Sequence, residues 1–153
     1  MHKKRGFTLI ELVTVLVIIG IISAVALPRF FSADSFYNRG FYTEVVNAMR
    51  FSQQLAVAIN CNTRVVLTSN SYTVTLDDDS TNCSAMSFGT PARNPITGEL
   101  GFSGNSTNAS ISTPTTVTFN ALGSATSDTT ITVGNISFCV NSSSGYISEG
   151  GTC

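Results

Sequence analysis

The sequence predicts an α+β protein: a long N-terminal helix, its first half transmembrane and its second half amphipathic, packed on a C-terminal antiparallel β-sheet domain. Three observations predict it. Residues 7–27 are almost wholly apolar and carry no charge except a single carboxylate, Glu11. Residues 41–59 then carry a helical stripe of apolar positions. Beyond the helix, 43 of the 94 residues in 60–153 are Ser, Thr or Asn, broken into short alternating runs. Such composition disfavours helix and favours turns and strands.

The first element is the apolar run. A helix rises about 1.5 Å per residue, so residues 7–27 cover roughly 30 Å, the hydrocarbon thickness of a bilayer. Lys3, Lys4 and Arg5 precede it, and basic flanks stay cytoplasmic. A secretory signal would have an apolar core of only about 7–15 residues. A carboxylate at the centre of such a helix costs about 2.5–3.5 kcal/mol, and less near the interface. Glu11 therefore needs a reason.

The stretch "KKRGFTLIELVTVLVIIGIISAVALP" supplies one. Its basic leader, Gly6, Phe7, the Thr-Leu-Ile-Glu-Leu that follows and the long apolar helix resemble the class III signal of type IV pilins and pseudopilins. The resemblance implies cleavage after Gly6 by a prepilin peptidase, N-methylation of Phe7, and an assembly role for Glu11. It also implies partners: the membrane before assembly, an inner-membrane assembly platform, and other pilin subunits met through the N-terminal helix. Cleavage would create a cation at Phe7, one helical turn from Glu11 in the same chain. In the filament, Glu11 would pair with the new amine of a neighbouring subunit. A buried charge left unpaired is far more costly than a paired one. The acid thus penalises the lone subunit and sets register in the packed one. The chain divides accordingly into a leader at 1–6, a long helix over 7–59 with its membrane and assembly segment at 7–28, and a β-rich domain over 60–153.

The amphipathic half follows. Phe41, Val45, Ala48, Ser52, Leu55, Ala56 and Ile59 share one helix face, while Arg39, Glu44, Asn47 and Arg50 fall mostly off it. A straight helix over 7–59 would be roughly 80 Å long. Gly20 and Pro28 mark the expected kink, because proline removes a backbone hydrogen bond and glycine weakens the helix. Gly40 is a second weak point.

The β domain is read from "RVVLT" (64–68), "YTVTL" (72–76), "TVTFN" (116–120), "TITV" (130–133), "ISFCV" (136–140) and "GYIS" (145–148). "TSNS" reads as a turn, and Gly134-Asn135 as a two-residue hairpin loop. Residues 90–115, with Pro91, Pro95 and Pro114, read as loop.

Cys61, Cys83, Cys139 and Cys153 all follow the apolar run, on the oxidising side, and contain no C-x-x-C pair. An even count in an exported domain reads as two disulfides. Three connectivities exist. Cys61–Cys83 with Cys139–Cys153 is favoured, because each pair brackets about one hairpin of chain.

Composition argues against catalysis. His2, Lys3 and Lys4 are the sole histidine and lysines, and all lie in the expected leader. The processed chain would lack His-dependent nucleophilic catalysis, lysine Schiff-base chemistry and any His metal site. No cofactor is expected. Five arginines would face nine carboxylates, a side-chain balance of −4. That acidity argues against nucleic acid as a partner. Asp77, Asp78 and Asp79 lack the alternation of a calcium loop and read as a solvated turn. Five N-x-S/T sequons, at Asn82, Asn105, Asn108, Asn135 and Asn141, are expected by chance in so polar a chain.

The C-terminal "VTFNALGSATSDTTITVGNISFCVNSSSGYISEG" resembles the end of H-type minor pseudopilins and related minor pilins, at Phe119, Gly123, Ile131, Ile136, Gly145 and Ile147. The four cysteines and six-residue leader are most similar to minor pilins of mannose-sensitive haemagglutinin (MSHA) type pili. The resemblances imply a minor subunit of a surface pilus. The alternative is an H-type minor pseudopilin of a type II secretion system, and a DNA-uptake minor pilin ranks third because nothing basic follows Arg93. Either location begins in the bacterial inner membrane, with the N-terminus cytoplasmic.

Overall fold

The computed structural model describes residues 7–30, 33–78, 83 and 86–153, and for residues 25–30 and 33 it describes backbone alone. The leader, with Gly6, lies outside the described residues, as does Asp79. The chain forms two compact units, Met1–Ala33 and Asp34–Cys153.

In the first unit, helix α1 (Leu9–Phe30) begins where Thr8 caps it. The Thr8 hydroxyl accepts the Glu11 N–H at 3.3 Å, and its carbonyl accepts the Leu12 N–H at 3.2 Å. The first bond satisfies one of the donors that every helix start leaves free, and the second is the first bond of the helix itself. The helix runs through Gly20 and Pro28 without interruption. Among the described residues no helix is long and apolar enough to cross a membrane. The side chains at 25–28, the end of the expected span, lie outside the described residues.

Helix α2 (Ala33–Ile59) opens the second unit. Residues 31 and 32, which a single helix over 7–59 must cross, lie outside the described residues. Phe41, Val45, Ala48, Ser52 and Ala56 of the expected stripe are buried, but so are Tyr42, Val46 and Met49. The buried face is broader than a single stripe because two sheets meet the helix. Phe41 packs on Tyr72 of one sheet, with ring centroids 6.3 Å apart, and Tyr42 packs edge-on against Phe138 of the other at 5.6 Å. Ile59, the last residue of α2, is 42% exposed and does not join the buried stripe.

The single antiparallel sheet read from the sequence is corrected to two. The first has the order β3-β2-β1-β5, with β4 also pairing β2. Its strands are β1 (Thr63–Leu67), β2 (Ser71–Leu76), β3 (Thr90–Pro91), β4 (Ser103–Asn105) and β5 (Thr116–Phe119). The second is β6-β7-β8, built from β6 (Thr129–Val133), β7 (Ile136–Val140) and β8 (Ile147–Glu149). All pairings are antiparallel. Alternation sends Thr63, Val65 and Leu67 inward from β1, with Val74 opposite Val65. Gly134-Asn135 closes the β6–β7 hairpin, with Gly134 at φ +59°. Residues 90–115 are not all loop. They supply β3, β4 and four buried apolar side chains, Ala92, Phe102, Ala109 and Ile111.

Candidate functional site

Helix α1 presents apolar side chains in every direction. Phe7 is 80% exposed, Leu9 81% and Ile21 63%, so they lie on no single face of their own unit. A helix apolar all round asks for lipid or other helices as its surroundings. Glu11 interrupts this surface in the first turn, exposed and in no ion pair among the described residues. Thr14 donates to the Glu11 carbonyl at 2.9 Å, leaving the carboxylate outside the local network. Thr8 holds the backbone of the acid in helical geometry.

In the second unit the expected cysteine pairs are formed. Cys61 is bonded to Cys83 and Cys139 to Cys153, with Cα–Cα separations of 5.1 Å in both. The first ties the end of α2 to the segment after β2. The second ties the C-terminal tail to β7, and the Cys153 N–H donates to the Thr130 hydroxyl on the neighbouring β6 at 3.0 Å. No described cysteine is left free.

Several residues that fix this unit carry no signal in the sequence. The Gln53 side-chain amide donates to the carbonyls of Gly123 and Ser144, each at 3.0 Å, and so joins two loops. Asn120 and Asn141 brace those loops: their side-chain oxygens accept backbone N–H groups of Leu122 and Ser124, and of Ser143 and Ser144. Arg50 on α2 forms an ion pair with Glu149 on β8. Pairs spaced this far apart in sequence cannot be found from local pattern.

The aspartate run is not a solvated turn throughout. Asp77 is 7% exposed and its carboxylate accepts from Asn62. The Asp78 carboxylate accepts from Ser87, Gly89 and Thr90. Hydrogen bonding, from the Thr90 side chain foremost and the Gly89 N–H next, holds its carboxyl below the usual range against an opposing desolvation. The Ser142 backbone N–H does the same for Asp128. Burial, and then the Glu149 charge, push the Tyr42 phenol up. Of the sequons, Asn82 lies outside the described residues, and Asn141 spends its side-chain oxygen on its own loop.

An apolar helix bearing one acid, joined to a disulfide-bonded αβ head, defines the pilin and pseudopilin class of filament subunit. The family models agree. Residues 1–27 match the prokaryotic N-terminal methylation motif, and residues 43–149 match type II transport protein GspH. The chain belongs to the GspH family. It is 52% identical over 44 residues to the fimbrial protein EcpB of Eikenella corrodens, a match that covers 28% of each chain. No solved structure matches. The family is structural, and its members are subunits that assemble with other pilin-class subunits.

Proposed function

We propose that the chain is a minor subunit of a type IV surface pilus of the MSHA kind, inserted in the inner membrane through its N-terminal helix before assembly. In this reading a prepilin peptidase cuts after Gly6 and methylates Phe7. The assembly platform then packs the helix among those of other subunits, with Glu11 meeting a neighbour's N-terminal amine. Gly20 and Pro28 provide a bend in the helix as it packs. The observation that carries the reading is Glu11 itself: an exposed acid without an ion pair among the described residues, on a helix otherwise exposed and apolar. Once the helix is packed away from water, such a group is stabilised by a cation supplied from outside. The leader is read as 1–6, the helix as 7–59 and the β-rich remainder as 60–153.

A second reading is favoured by the family model, whose description names type II transport: a minor pseudopilin of a secretion system, built in the same way. Deleting the gene separates the two. A surface-pilus subunit changes filament number on the cell and leaves exoprotein release intact, and a pseudopilin does the reverse. The assembly step is tested with Glu11→Val in the same strain. The variant should remain at normal level in the membrane and be absent from filaments, whereas Val13→Leu should enter them. Normal entry of Glu11→Val would overturn the charge-pair reading, unless the subunit caps the filament. Altering the major subunit's own glutamate separates those two cases.

A further inference from the structure

The stretch "RNPITGEL", from Arg93 to Leu100, closes as a small hairpin with an apolar tip. Arg93 and Leu100 pair antiparallel at its base. The Asn94 N–H donates to the Glu99 carbonyl and the Gly98 N–H to the Asn94 carbonyl, each at 2.8 Å. The Asn94 side-chain oxygen accepts the Ile96 N–H at 2.8 Å, and the Arg93 guanidinium donates to the Gly98 carbonyl at 2.9 Å. Gly98, at φ +75°, takes the backbone conformation that closes the turn. These bonds hold Ile96 at the tip, where it is 90% exposed. An apolar side chain on so fixed a turn loses little entropy when it is bound.

Beside the hairpin lies an apolar hollow of about 280 Å³. Phe51 and Leu55 of α2, Leu76 of β2, Pro91 of β3 and Leu100 line it, together with Arg93. Phe51, Leu55 and Leu76 pack on the core from one side and are only partly buried, and Leu100 is 62% exposed. The hollow thus turns apolar walls to solvent and admits a branched aliphatic side chain. Arg93 and Leu100 are also the base of the hairpin, so projection and hollow adjoin on one face. Charge is divided in the same way. Glu99 stands on the projection and Arg93 at the hollow; both are exposed, and neither enters an ion pair among the described residues.

We propose that this face docks a second copy of the chain, as a two-fold pair in which each Ile96 enters the other copy's hollow and each Glu99 meets the other copy's Arg93. A two-fold axis brings the same patch of both copies together, so the patch must carry both halves of every contact. This one carries an apolar projection with an apolar hollow, and an acid with a base. Because the halves adjoin, the contact closes at two copies instead of running on as a chain. One hairpin from each copy makes a small contact, so the pair is weak and forms where copies are concentrated. The inference rests on residues of Asp34–Cys153 alone and is independent of whether the filament is a pilus or a pseudopilus.

The test uses the full chain in detergent micelles, with methyl groups labelled for nuclear magnetic resonance. In a mixture of labelled and unlabelled copies, isotope-filtered spectra should place Ile96 of one copy close to Leu55 and Leu76 of the other. The Leu55 and Leu76 methyl shifts should also move with concentration. Ile96→Ser should weaken the association about a hundredfold, because two apolar side chains leave the contact. An unchanged melting temperature checks that this exposed change spares the fold. Glu99→Arg and Arg93→Glu should each weaken association about fivefold or more, by setting like charges opposite one another twice. An equimolar mixture of those two variants should associate nearly as tightly as the unaltered chain, since each copy supplies the charge that the other lacks. No pairing within one chain can produce that recovery, and association through the apolar helix would be the same in every variant. Absence of the Ile96 contact between copies at about 1 mM chain, an Ile96→Ser chain that associates as the unaltered one does, or a mixture no tighter than either variant alone would overturn the proposal.

Discussion

Ser52 in the middle of α2 and Thr63 at the start of β1 meet through hydroxyls 2.8 Å apart, both fully buried, and Thr63 also reaches the Ser52 carbonyl at 2.9 Å. The pair fastens the helix to the first strand inside an otherwise apolar core. Thr63→Val should cost about 1–3 kcal/mol, because it leaves the Ser52 hydroxyl buried without its partner. Ser52→Ala combined with Thr63→Val should cost less than the sum of the two single changes. Urea unfolding followed by circular dichroism measures all three; strict additivity would show that the hydroxyls do not interact.

The two disulfides close loops with sequence separations of 22 and 14 residues. In the chain-entropy model each contributes roughly 3 kcal/mol. Replacing either pair with alanines should lower stability by about that amount, and non-reducing mass mapping should recover Cys61 with Cys83 and Cys139 with Cys153. A peptide linking Cys61 to Cys153 would refute the described sheet arrangement.

Acid should weaken the fold through Asp78 and Asp128. Both carboxyls are held below the usual range by hydrogen bonds that exist only in the folded chain. A folded pKa below the unfolded one means that the stabilisation is full above the unfolded value, about 3.9, and is lost as pH falls through the folded value. Melting temperature should therefore drop below about pH 4. In Asp78→Asn with Asp128→Asn the drop should be shallower. Parallel acid limbs in the two proteins would show that these carboxylates do not control it.

Two glycines should respond in opposite directions. A Cβ on Gly145, at φ +65°, would lie 1.9 Å from the Gly123 carbonyl oxygen, where the loops joined by Gln53 touch. Gly145→Ala should cost about 2–4 kcal/mol through strain and displacement of that loop. Gly40 is helical and exposed, and nothing lies within 4 Å of its Cβ position. Gly40→Ala should stabilise by up to about 1 kcal/mol. Thermal melts of both variants check the contrast.

Much of this architecture can be read from local pattern. The runs at β1, β2, β5, β6 and β7 are strands to within a residue or two: the first four alternate in burial, and β7 is rich in β-branched and aromatic residues. The Gly134 turn is legible because only a few residues suit it. What escaped is non-local. β3 and β4, of two and three residues, are too short to carry a period, and they sit among prolines and glycines. Phe102 and Ile111 look like isolated apolar residues in a loop, yet they complete the core. Tyr42, Val46 and Met49 become inward-facing only once a second sheet covers their side of α2. At the proposed assembly site, Gly6, Phe7 and Glu11 lie within six residues of one another and are visible at once, whereas Gln53 and the Arg50–Glu149 pair depend on partners about 70 to 100 residues away.

The central claim is that this chain enters a filament as a processed subunit, and intact mass of the protein recovered from sheared filaments tests it most directly. The account predicts a chain that begins at Phe7, carries one N-methyl group and lacks residues 1–6, with Gly6→Val absent from the filaments and retained uncut in the membrane. A filament-borne chain that keeps its leader, or starts at any residue other than Phe7, would contradict it.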